Sequence, residues 1–109
     1  MSPSKVSTIN FEEFYNIVNG EKRSADTFHH GTNPATGAEL WPVPIATQRD
    51  VDDAVAAGQK AFESWSQVSL DERKQYLQRY IELYKSYEQE LTDVLAKETG
   101  KPVGNCPTA

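Results

Sequence analysis

Few residues of this 109-residue chain are equipped for chemistry. Cys106 is its single cysteine. A thiol becomes a nucleophile only when a base, a cation or a helix terminus lowers its pKa inside a shaped pocket. Asn105-Cys106-Pro107 shows none of these, so no catalytic role is assigned to it. His29 and His30 could ligate a metal, but neighbours on a strand point to opposite faces. No Cys, Asp or Glu at ligand spacing supports them. Glu12-Glu13, Asp52-Asp53 and Asp71-Glu72 are carboxylate pairs. Adjacent helical residues diverge by about 100°, so none makes an acid–base dyad. The glycines at 20, 31, 37, 58, 100 and 104 build neither Gly-x-Gly-x-x-Gly nor a phosphate loop. Gly100-Lys101 reads as a helix C-cap. Tyr76, Tyr80, Tyr84 and Tyr87 form a stripe that reads as packing with hydroxyls at the rim. The expected catalytic, cofactor-binding and metal-ligating residues are therefore none.

The elements around these residues are more legible. Leu77, Tyr80, Ile81, Tyr84, Tyr87, Leu91, Val94 and Leu95 recur at three- and four-residue steps, which predicts one helix from Ser69 to Pro102. It would be roughly 45 Å long. Ser69 and Glu72 predict a capping box at its start, and Gly100 and Pro102 predict its stop. An earlier helix begins at Thr47, capped with Asp50, and carries Val51, Ala54, Val55, Gly58, Ala61, Phe62 and Trp65 on one stripe. Before it, Asn19-Gly20 within residues 14–23 signals a tight hairpin. Strands are expected at Thr27–Thr32 and Glu39–Ala46, joined by Asn33-Pro34-Ala35-Thr36-Gly37. Pro42 and Pro44 remove donors from one edge of the last strand, which should be an edge strand. Phe11 to Tyr15 forms a turn of helix or leads straight into the first strand. The expected fold is α+β: a small antiparallel β-meander of two to four strands, then two long amphipathic helices.

Composition limits the function classes. A net charge of −5 argues against nucleic acid or an anionic membrane as partner. No apolar run is long enough to span a bilayer. A lone cysteine fits a reducing compartment, and residues 1–14 read as a mobile arm without signal-peptide character. A cytoplasmic protein is expected.

These residues in this order resemble a known family. Tyr-Asn-Ile-Val-Asn-Gly-Glu at 15–21, Asn-Pro-Ala-Thr-Gly at 33–37 and Val-Pro-Ile-Ala at 43–46 carry part of the resemblance. Asp50-Val51-Asp52, Ala54-Val55, Ala61-Phe62 and Trp65, then Glu72-Arg73 and Glu98-Thr99-Gly100-Lys101-Pro102, carry the rest. The family is the aldehyde dehydrogenase superfamily, and residues 15–103 resemble the front of its coenzyme-binding domain. The resemblance implies oxidation of aldehydes to carboxylic acids with NAD or NADP. It also implies a cysteine nucleophile and a water-activating glutamate, both in later segments than the one matched. Cys106 does not stand in the family's cysteine context. Residues 104–109 depart from the family pattern and read as a non-family tail.

The resemblance therefore implies a truncated, non-catalytic relative with no NAD(P) site of its own. Two alternatives stay open: a small interaction module that binds a full-length relative, or an active enzyme whose end is wrongly assigned. Two amphipathic stripes without the surface they cover predict a marginal chain that self-associates or pairs its helices with each other.

Overall fold

The computed structural model describes residues 9–102. Residues 1–8 of the expected arm, and the stretch from Val103 that holds Cys106, lie outside the described residues.

β1 (Asn16–Val18) and β2 (Glu21–Arg23) form the first hairpin, with Val18 opposite Glu21. Asn19 and Gly20 make the turn with φ of 52° and 78°. Two successive positive φ angles match the right-handed twist of the flanking strands, which is why Asn-Gly stands there. β3 (Phe28–Thr32) and β4 (Glu39–Pro44) form the second hairpin, with an irregularity between His30 and Thr32. Asn33 organises its loop. The side-chain carbonyl accepts from the Ala35 N–H at 2.9 Å, and the backbone exchanges bonds with Gly37 and Ala38. The expected meander is thus two separate two-stranded sheets. The Ile45 N–H donates to Thr27 at 2.9 Å, so odd-numbered donors of this strand face β3. Pro42 and Pro44 therefore stand on the outward edge, where no donor is needed.

α1 (Gln48–Trp65) starts with a complete capping box. The Asp50 N–H donates to Thr47 Oγ1 at 3.2 Å, and the Thr47 N–H to Asp50 Oδ2 at 2.8 Å. α2 (Leu70–Ser86) starts on Ser69, which accepts from the Glu72 N–H at 3.2 Å. Only this leg of the expected box forms, because the Glu72 side chain stays in solvent. α3 (Glu88–Thr99) ends at Gly100, whose φ is 71° and whose N–H donates to Ala96 at 2.9 Å. A Cβ on Gly100 would lie 2.8 Å from Pro34 Cγ, so glycine is required there for space as well as for φ.

The helix expected to run from Ser69 to Pro102 is broken at Tyr87. Its φ and ψ are −111° and 18°, outside the helical region, and its N–H turns back to Tyr84. No glycine or proline interrupts the pattern. The Ser86 hydroxyl donates to the Leu83 carbonyl at 2.6 Å, a back-bond that bends helices. Tyr87 itself is buried at 7% exposure, with the Phe11 ring 5.7 Å from its own.

Burial is sparse. Val18, Pro44 and Tyr87 are the buried apolar residues, Asp50 is the buried charge, and no described side chain is fully enclosed. Phe14 lies against Trp41 at 5.5 Å, so the end of the segment read as an arm has partners on both Tyr87, just before α3, and β4. The radius of gyration is 17.2 Å. A compact domain of this length would have about 13 Å. α1 is tied to the first hairpin through Arg23 and α3 lies beside Trp41 of β4, while most side chains of α1 and α2 are left exposed.

Candidate functional site

The first place to look for chemistry is where charge is concentrated. Arg23, at the end of β2, reaches the start of α1. Its Nη1 donates to Asp53 Oδ2 at 2.7 Å and to Asp50 Oδ1 at 3.2 Å. The hydrogen bond to Asp53, with the second to Asp50, raises the Arg23 pKa. Asp50 moves the other way. Bonds from the Thr47 backbone and hydroxyl hold its carboxyl below the usual range, with Arg23 adding to the effect. This is a structural joint between hairpin and helix. Its carboxylates are consumed by donors, which leaves none free to serve as a catalytic acid or base. The sequence signal was present, because Asp50 and Asp53 at i and i+3 share a helix face and invite a cation, but Arg23 was not foreseen as that cation.

The members of two of the expected pairs, Asp52-Asp53 on α1 and Glu12-Glu13 ahead of β1, go to different partners. Asp52 accepts from Gln48 while Asp53 holds Arg23. Glu12 lies 4.0 Å from Lys97, whereas Glu13 accepts from the Tyr15 hydroxyl, a bond that raises the Tyr15 pKa. His30 Nδ1 lies 3.1 Å from the Leu40 carbonyl and 3.4 Å from Glu39 Oε1. Among the described residues, no group of three or more His, Cys, Asp or Glu is placed to hold a metal ion. An open cleft of ≈ 480 Å³ lies between β4 and α3, lined by Glu12, Asn33, Glu39, Trp41 and Lys97 among others. It contains no nucleophile beside a base.

A dinucleotide needs helix N–H groups free to receive its pyrophosphate, beside a glycine turn. The described residues do not fit that group. The start of α1 is filled by the Asp50 carboxylate, α2 carries Asp71 and Glu72 in its first turn, and α3 carries Glu88 and Glu90. Each of these helix ends repels a second anion.

What the structure does build is a surface. On α1, Val51, Val55 and Phe62 are exposed; on α2, Leu77, Tyr80, Ile81 and Tyr84 are exposed. Phe62 is 66% exposed and Tyr80 63%, values far from those of core residues. These are the stripe positions of both helices, so the sides shaped for burial face solvent. Arg73 sets the corner between the helices. Its guanidinium donates to the Trp65, Ser66 and Val68 carbonyls at 2.9, 3.3 and 3.1 Å and lies 5.4 Å from the Trp65 ring. Tyr76 meets the same ring edge-on at 5.5 Å. The tyrosine stripe is thereby divided. Tyr76, Tyr80 and Tyr84 are outward, and Tyr87 is turned into the hairpin side.

Comparison with known proteins gives this surface a context. The aldehyde dehydrogenase family matches residues 21–108, running through most of the stretch expected to be a non-family tail. An aldehyde dehydrogenase, LUC3, of Fusarium sp is 44% identical over 97 residues, covering 89% of this chain and 21% of the relative. A malonate-semialdehyde dehydrogenase of Lacticaseibacillus casei is 38% identical over 94 residues, covering 84% of this chain and 19% of the relative. A second malonate-semialdehyde dehydrogenase, of Shouchella clausii, is 35% identical over 106 residues, covering 94% and 21%. The chain spans about one fifth of the length of these relatives. The chain belongs to the aldehyde dehydrogenase family, as a segment from its N-terminal part.

Proposed function

We propose that this chain is a docking segment of an aldehyde dehydrogenase and carries out no aldehyde oxidation alone. One observation supports this above the others: the apolar stripes of both α1 and α2 are exposed to solvent. Burying a side chain such as Phe62 or Leu77 gains about 1.5–3 kcal/mol when complete. The natural cover is the part of the family's chain that the relatives have and this match does not reach. The oxidising chemistry, with NAD or NADP, a cysteine thiolate and a water-activating glutamate, falls to that part. The role of this chain is to complete the packing around it. Its place of action is the cytoplasm, in keeping with a single cysteine, and its partner is protein, in keeping with a charge of −5. No helix of the described residues is long and apolar enough to cross a membrane.

A complete relative is a poorer partner, because it already holds its own copy of this segment at 44% identity or less. Self-association is the competing way to cover the face. The test is to mix the tagged chain with the Fusarium relative lacking its matching segment, and separately with the complete relative. A defined complex with the shortened protein alone is expected. No complex with it, or an equal one with the complete relative, would overturn the reading.

A further inference from the structure

No glycine or proline accounts for the break at Tyr87, and the Ser86 back-bond bends a helix without ending it. The pattern of Tyr80, Tyr84, Tyr87, Leu91 and Val94 continues unbroken through residues 86–88, which contain neither glycine nor proline. A helix that could run on instead stops, with the Tyr87 N–H bonded three residues back to Tyr84 at 3.0 Å. It restarts at Leu91, whose N–H donates to Tyr87 at 3.0 Å. The restart has no side-chain cap. A break between two good helical halves that leaves the new N-terminus uncapped needs a cause.

Phe11 supplies it. Its ring lies 5.7 Å from the Tyr87 ring at 52°, and Tyr87 is the most buried aromatic side chain among the described residues. The same segment is fastened at two further points just beyond this contact. Glu12 lies 4.0 Å from Lys97 on α3, and the Phe14 ring is 5.5 Å from Trp41 on β4. Lys97 in turn lies 6.0 Å from the Trp41 ring. Residues 11–14 thus form a strap between the hairpin and α3, and its first ring meets the residue at which the helix fails. We propose that the Phe11–Tyr87 contact is a latch: engaged, it holds α2 and α3 as two helices; released, they join into the single helix their sequence encodes. The latch sets the angle at which α2 presents Leu77, Tyr80 and Ile81.

Hydrogen exchange on the 109-residue chain tests this at the amides of Glu88 and Gln89. These begin α3 and gain partners at Tyr84 and Lys85 only when the helix is continuous. In Phe11→Ala, and in Tyr87→Leu, which keeps apolar bulk but loses the ring pair, their protection is expected to rise at least tenfold. Spin labels at Gln75 and Glu98 should move apart to about 35 Å, the span of an unbroken helix. Ser86→Ala, which removes the back-bond, should leave both readings as in the parent. The reverse result, with Ser86→Ala joining the helices and Phe11→Ala inert, would overturn the latch. So would loss of protection throughout α3 in both ring variants, because the contact would then hold α3 folded and not bent. An α3 unprotected in the parent chain would overturn it as well.

Discussion

Asp50 does three jobs with one carboxylate: it completes the Thr47 capping box, faces the positive end of α1 and receives Arg23 from β2. Its pKa is lowered in the folded chain, so it contributes stability above the unfolded aspartate pKa. That contribution disappears as pH falls through the folded value. The hairpin–α1 joint should therefore loosen in acid, below the ordinary carboxylate range, and an acid titration followed by far-UV circular dichroism should show it. Asp50→Asn should lower the melting temperature at neutral pH and remove that acid step. Arg23 has the opposite sign. Its raised pKa keeps the guanidinium charged at all moderate pH, so no alkaline counterpart is expected in that range. Gly100 is the second residue with a sharp requirement. Gly100→Ala would place a Cβ in the left-handed region, at a cost of about 1–2 kcal/mol. It would also press that Cβ on Pro34. Faster proteolysis at the end of α3 would reveal the loss.

At the scale of elements, caps and turns were the readable part. Asn19-Gly20, Thr47 with Asp50, Ser69 and Gly100 all do locally what their chemistry predicts, because each acts on backbone within a few residues. Ser69→Ala should cost about 1 kcal/mol by losing the acceptor for Glu72, seen as reduced helicity in α2. The edge prolines were readable for the same reason. The break at Tyr87 was not, because its partner Phe11 lies 76 positions earlier and periodicity carries no information about such contacts. Nor was the sorting of the strands into two separate sheets, since alternation fixes faces but not which hairpins adjoin. The candidate site was legible only in outline. The helical stripes could be named residue by residue, and Arg23 and Arg73, which fix the ends of α1, went unseen because long cations match many acceptors.

For the whole molecule, stability is the governing quantity. Domains have only about 5–15 kcal/mol to lose. Here Val18, Pro44 and Tyr87 are the buried apolar residues while Phe62, Leu77 and Tyr80 stand more than half exposed. A family segment matching about one fifth of its relatives carries helices whose apolar faces outnumber the partners within reach. The chain alone should bind a hydrophobic dye strongly and melt over a broad range. Addition of the complementary part of a relative should suppress the dye signal and sharpen the melt.

The most direct measurement is coenzyme reduction with an aldehyde supplied. The chain alone, the Fusarium relative lacking its matching segment, and the two together should be assayed side by side with NAD and with NADP. No turnover is expected from the chain, little from the shortened relative, and turnover from the mixture. Reduction of either coenzyme by the chain alone, or full activity of the shortened relative without it, would contradict the claim that this molecule supplies a surface and not a reaction centre.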